Sequence, residues 1–108
     1  MEIHLKGNAE TGEVWLNGKK LNPKPSQKYD NHSPDGFNWG YGGSGPAQLA
    51  LAICIKLWGL PKKYERPSWN YQDFKWRYIT TLPFQEDFDI TIDITDFLTK
   101  NKIDHESN

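Results

Sequence analysis

Apolar and polar residues alternate at both ends of this chain and stop alternating in its middle. At the N-terminus Ile3 and Leu5 interleave with His4 and Lys6, and after residues 7–12 the run Glu13-Val14-Trp15-Leu16 repeats the pattern before Asn17-Gly18. Asn-Gly between two such runs is the strongest short-range hairpin signal, because both turn residues tolerate a positive φ. A third short strand through Lys19-Lys20-Leu21 completes a predicted meander. Near the C-terminus, residues 87–95 alternate without a fault: Phe88, Ile90, Ile92 and Ile94 face one way, and Asp87, Asp89, Thr91, Asp93 and Thr95 the other. That period of two predicts a half-buried strand with an acidic outer face.

The middle reads differently. From Leu49 to Trp58 almost every residue is apolar, which leaves no face for water and predicts a central helix over 46–58. Gly45 is the expected N-cap, Pro46 suits the first turn, and Gln48 at the third position can return its amide to the cap. Gly59, Leu60 and Pro61 spell the helix end. A second helix over about 70–80 is predicted from Tyr71, Phe74, Trp76, Tyr78 and Ile79, with Asn70 and Asp73 or Ser68 as cap signals and Pro83 as the stop. Residues 22–31 hold two prolines without an apolar period and read as an extended connector; residues 61–70 read as a polar linker. After a short helical turn at Phe97-Leu98 the chain is expected to fray. The predicted class is α+β: a small antiparallel sheet packed on a central buried helix and a second helix, in a single domain over 1–100 with a flexible polar tail at 101–108.

Composition narrows this. Five Trp, five Tyr and five Phe in 108 residues mean that aromatics supply much of the packing or line a binding surface. A lone Cys54 inside the apolar helix excludes an intrachain disulfide, suits a reducing compartment and leaves an inert thiol. The first residues have neither a basic nor an apolar leader region, and the apolar run 49–60 falls short of the roughly 20 residues a bilayer requires. A cytoplasmic protein with no membrane partner is expected. Net charge is −1, but residues 1–80 carry +4 and residues 81–108 carry −5. Neither part is basic enough to announce nucleic acid, and the acidic part can face a basic partner.

Candidate chemistry concentrates between His32 and Trp58. Five of the nine glycines lie there, at 36, 40, 42, 43 and 45, immediately before the apolar helix. Gly42, Gly43, Ser44 and Gly45 with the helix start are one candidate anion site, since unpaired N–H groups and the positive dipole end favour negative charge. Trp39, Tyr41 and Gln48 would complete it, with Lys19, Lys20, Lys24 and Lys28 as a basic wall. The spacing is neither a P-loop nor a Rossmann fingerprint, and the same glycines also suit a tight loop in a crowded place. His32, Ser33 and Asp35, near Asn38 and Tyr41, are the one group suited to acid–base chemistry, or equally to a hydrogen-bonded turn. Trp69, Trp76 and Arg77 can form a stacking face or join the core. His4 lacks a ligand-like partner two residues on and reads as a solvent-facing strand residue. Asp87, Asp89 and Asp93 either discourage edge pairing or form an acidic ladder that mimics nucleic-acid phosphates towards a protein partner. No metal site or cofactor is predicted.

The block His-Ser-Pro-Asp-Gly-Phe-Asn-Trp-Gly-Tyr-Gly-Gly-Ser-Gly-Pro-Ala-Gln-Leu-Ala-Leu-Ala-Ile at residues 32–53, with Tyr71-Gln72-Asp73-Phe74-Lys75 further on, resembles the signature of a small family of bacterial and phage proteins of unknown function. The likeness covers most of the chain. Residues 22–28, rich in Lys and Pro, and the Pro-rich linker between the helices depart from the family pattern. The resemblance implies a phage or mobile-element origin and no known activity; in that context, holding a host defence signal or blocking a defence protein is the expected kind of role.

Three functions remain open at this point. The leading expectation is a non-catalytic protein that holds an anionic, nucleotide-like ligand at the glycine loop. The second is an inhibitor of a host protein acting through the acidic strand face, and the third a small enzyme acting on a nucleotide through His32 and Asp35. A homo-oligomer is compatible with each; nucleic acid is disfavoured as a partner. A phage-encoded form would act in the host cytoplasm.

Overall fold

The N-terminal alternation forms strand β1, Glu2–Gly7, which turns Ile3 and Leu5 into the core and leaves Glu2 and Lys6 outside. The computed structural model describes residues 1–62 and 65–103. Strands β2, Val14–Leu16, and β3, Lys19–Lys20, are joined through Asn17-Gly18, whose φ values of 51° and 81° are those of a tight hairpin turn. Strand β4, Phe88–Asp93, returns beside β1, giving a four-stranded antiparallel sheet in the order β3-β2-β1-β4. Ile3 stands opposite Ile92, Leu5 opposite Ile90 and Gly7 opposite Phe88. The fold is α+β, as the sequence predicts.

Helix α2, Ser44–Trp58, is the centre of the core, and every residue from Gly45 to Cys54 is buried. It begins earlier than expected. Gly43, not Gly45, is the N-cap, because the first three helical positions have no intrahelical N–H bond to lose and Pro46 can occupy the third. Gly59 ends α2 with a φ of 93°, but Leu60 stays 55% exposed instead of folding back on the helix.

The expected connector at 22–31 instead contains a short helix α1, Lys24–Tyr29. Its prolines sit at the cap and in the first turn, where they are tolerated, and Asn22 Oδ1 and the Ser26 hydroxyl bond the first-turn backbone. The second predicted helix is present but changes character. Asn70 caps α3, Tyr71–Phe74, by accepting from the N–H groups of Gln72 and Asp73, and the chain then widens into a π-helical turn over Lys75–Ile79. The extra residue in that turn brings Ile79 onto the buried side with Phe74, while Trp76, two residues after Phe74, faces outward, 59% exposed. A last helix α4, Thr95–Lys100, packs Phe97 and Leu98 inward. The tail expected from residue 101 is tied down at its start: the Asn101 side chain bonds Asn70, Asp73 and Phe97, and Ile103 packs on the core. Residues 104–108 of that tail lie outside the described residues.

The aromatics are mainly structural. Trp39, Phe74 and Phe97 are almost fully buried, and Phe74, Tyr78 and Phe97 meet edge to face at centroid distances of 4.9 to 6.4 Å.

Candidate functional site

Three glycines of the loop face the protein's own side chains, while Tyr41, Gly42 and Ser44 are exposed. The Trp76 indole occupies the space into which a Cβ on Gly42 would project, the Tyr41 ring does the same at Gly43, and Asn38 does so at Gly45. At Gly40, with φ 83°, the backbone of Leu82 and Phe84 presses in. The close packing that needs glycine is thus the chain against itself. Ser44 is the first residue of α2.

Of the other residues predicted for that site, Trp39 and Gln48 separate from the loop, while Tyr41 stays against it. Trp39 is 1% exposed; its indole N–H donates to the Glu86 carbonyl at 3.0 Å, and its ring meets Phe88 edge-on at 4.8 Å. It belongs to the core. Gln48 is fully buried and does not cap its own helix. Its Oε1 accepts from the N–H of His32 at 2.7 Å and of Ser33 at 2.9 Å, while its Nε2 donates to Ser26 Oγ and to the Asp30 carbonyl. All four bonds hold the segment 26–33. Tyr41 is 39% exposed and leans edge-on against exposed Phe84. Among the predicted basic wall, Lys20 is paired with Glu13, whose carboxyl it holds below the usual range; Lys19 lies on β3, and Lys24 and Lys28 lie on α1.

His32 joins Tyr71 and Asp30, not Asp35. Its Nε2 lies 2.7 Å from the Tyr71 hydroxyl and 3.3 Å from Asp30 Oδ2, and the Tyr71 hydroxyl donates to the same carboxylate at 3.2 Å. Burial, reinforced by the Asp30 charge, pushes the Tyr71 phenol up, so it stays protonated and serves as a donor. Asp35 lies exposed in the turn closed by the Gly36 N–H on the Ser33 carbonyl. The stacking face does not assemble either. Trp69 is buried at 6% exposure, Trp76 lies outside beneath the Lys75 ammonium, 4.6 Å from the ring, and Arg77 is bound by Asp73. Among the described residues no group of three His, Cys, Asp or Glu side chains could hold a metal ion.

An open surface lies at β4. Alternation alone would place its inner face in the core, but β4 is an edge strand and is only partly covered: Phe88 is buried, while Ile90 is 42% exposed and Ile92 half-buried. Both isoleucines line a cleft of about 490 Å³ with Tyr78, Thr81, Leu82 and Pro83. Burial pushes the Tyr78 phenol up and keeps it neutral. Alternation in the sequence says which way Ile90 points, not how far the helices reach over it; Leu82-Pro83 after the second helix is the one signal that the chain turns away there.

The outer face of β4 carries the acidic row. The Asp87 carboxylate accepts from the Ala9 N–H, Asp89 pairs with His4, and Asp93 accepts from Thr95 and lies 3.7 Å from the N-terminal amine. The side chains of Asp89 and Asp93 remain 63% and 65% exposed. Hydrogen bonding from Thr95 holds the Asp93 carboxyl below its usual range. No helix among the described residues is long and apolar enough to cross a membrane.

A model of a family of unknown function (DUF6166) matches residues 5–103, and the chain belongs to that family. No curated protein and no solved structure matches it.

Proposed function

We propose that this member of the DUF6166 family is a non-catalytic binding domain that engages a partner protein at the free edge and acidic face of β4. The observation that carries the reading is the meeting of a strand edge, unpaired among the described residues, with an apolar cleft at Ile90 and Ile92. Burying an isoleucine is worth about 2 kcal/mol, and at 42% exposure Ile90 forgoes a substantial part of it until something covers it. Long exposed edges with apolar side chains are normally suppressed, so one retained beside a cleft supports a binding use. An origin in phage, and action against a host defence protein, suits a domain of this size that works by occupying a surface.

The reading of the glycine loop as a holder of an anionic, nucleotide-like ligand has less to draw on, because Trp76, Tyr41 and Asn38 take up the space at its glycines. The enzymatic reading has less still, with His32 committed to Tyr71 and Asp30.

Two measurements test the proposal. A photo-crosslinking residue at position 90 is expected to give a protein adduct in cells, and one at Glu10, an exposed turn position, none. Native mass spectrometry of the purified protein with a panel of nucleotides is expected to leave its mass unchanged. Adducts at neither position together with a bound nucleotide would return the function to the glycine loop.

A further inference from the structure

The hydrogen-bonding phase of the sheet fixes what β4 offers. His4 spends both backbone groups on the β2 side: its N–H donates to Asn17 Oδ1 at 2.8 Å, and its carbonyl accepts from the Asn17 N–H at 2.8 Å. In an antiparallel ladder the direction alternates, so Ile3, Leu5 and Gly7 turn their backbone groups to β4, where they meet Ile92, Ile90 and Phe88. The N–H and carbonyl groups of Asp89, Thr91 and Asp93 therefore point away from β1, to the edge that is unpaired among the described residues.

A strand added there would pair directly with those three residues. Its residues opposite Asp89 and Asp93 would lie on the outer face beside two carboxylates that stay more than half exposed although His4 and Lys6 neighbour Asp89 and the N-terminal amine neighbours Asp93, and its residues opposite Ile90 and Ile92 would enter the cleft with Tyr78 and Leu82. A second copy of β4 fits badly. The antiparallel register centred on Thr91 opposes Asp89 to Asp93, and the one centred on Ile90 opposes Asp87 to Asp93; like charges directly opposite are destabilising.

Resting on the reading of β4 as the binding surface, we infer that its occupant is an extended segment of a partner protein with the pattern basic-apolar-any-apolar-basic, added antiparallel to β4. Main-chain bonds supply the docking, the cleft reads the two apolar side chains, and Asp89 and Asp93 select Lys or Arg over Asp or Glu.

The probe is a capped peptide with the core Lys-Ile-Thr-Val-Lys, titrated into isotope-labelled protein and monitored by the amide resonances of residues 88–93. Two control peptides carry Glu for both Lys, or Ser for both apolar residues. The expected result is saturable shifts centred on Asp89, Thr91 and Asp93, with each control bound at least about tenfold more weakly. Thr91→Pro removes only an edge-facing N–H and leaves the β1 ladder intact, so it is expected to keep the fold and abolish binding. The pair Asp89→Asn and Asp93→Asn, which keeps an acceptor for Thr95, is expected to erase the Lys-over-Glu preference. Equal binding of the Lys and Glu peptides would overturn the charge rule and leave the binding surface standing. No shift with any peptide would overturn both, and concentration-dependent shifts without peptide would make a second copy the occupant.

Discussion

The buried amide of Gln48 accepts the backbone N–H of His32 at 2.7 Å across sixteen residues of chain, and it also takes up Ser33, Ser26 and Asp30. This one side chain ties the segment 26–33 to α2. Gln48→Leu leaves the Ser26 hydroxyl, the Asp30 carbonyl and two N–H groups without that partner. Ser26 keeps its bond to the Pro23 carbonyl and His32 its bond to the Asp30 carbonyl, so the Ser33 N–H is the group left unmet, and a loss of about 2 kcal/mol is expected in urea unfolding. A loss below about 1 kcal/mol would mean that the segment is held by something else.

Thr95 sets the ionisation of Asp93. Its hydroxyl and backbone N–H both donate to the carboxylate, with the hydroxyl bond the larger cause of the lowered pKa. A carboxylate depressed in the folded state stabilises the fold above its unfolded pKa, and that contribution disappears as pH falls through the folded value. The relevant window lies below the ordinary 3.8. Thr95→Val is expected to move the Asp93 titration up towards 3.8, read from its carboxyl carbon resonance, and to flatten the acid limb of the stability curve. An unchanged titration would assign the effect to the backbone N–H alone.

Local chemistry makes the elements legible, and long-range contacts make the site illegible. The hairpin at Asn17-Gly18, the Asn70 cap, the stop at Gly59 and the alternation of β4 all depend on neighbours within a few residues. Helix α1 is hidden because its prolines read as breakers, though they fall where the first turn tolerates them, and Gln48 anchors Ser26 and Asp30 from α2. The π turn is hidden because a period of 3.6 cannot announce one extra residue, and that residue brings Ile79 onto the face of Phe74. His32 finds Tyr71 thirty-nine residues away, while its sequence neighbour Asp35 stays apart in its turn. Which face of β4 is apolar is readable from the alternation; that α2 and the second helix leave Ile90 partly bare is not.

Cys54 is 0% exposed, and burial drives its thiol well above the ordinary range. The thiolate is the reactive form, so alkylation requires the core to open. Iodoacetamide at about pH 8 is expected to label the native protein at least about a hundredfold more slowly than the protein in about 6 M guanidinium, on the order of the protection that a stable core gives. Comparable rates would show that α2 opens readily.

The glycines of the loop offer the sharpest test of what the loop is for, because their neighbours differ in how easily they give way. A Cβ at Gly42 meets the far edge of Trp76, a ring already 59% exposed and free to swing outward. A Cβ at Gly40 meets the backbone of Phe84 and Leu82, and the residue's φ of 83° penalises any side chain. Gly40→Ala is therefore expected to cost about 3 kcal/mol or more, and Gly42→Ala about 1 kcal/mol or less, vanishing in a Trp76→Ala background. Denaturant unfolding of the four variants measures this ranking. If Gly42→Ala leaves stability intact yet abolishes partner capture in cells, the loop takes part in recognition and the binding surface extends beyond β4 to Trp76. If the ranking holds and Gly42→Ala still binds, the loop serves packing alone, and the function rests on the edge of the sheet.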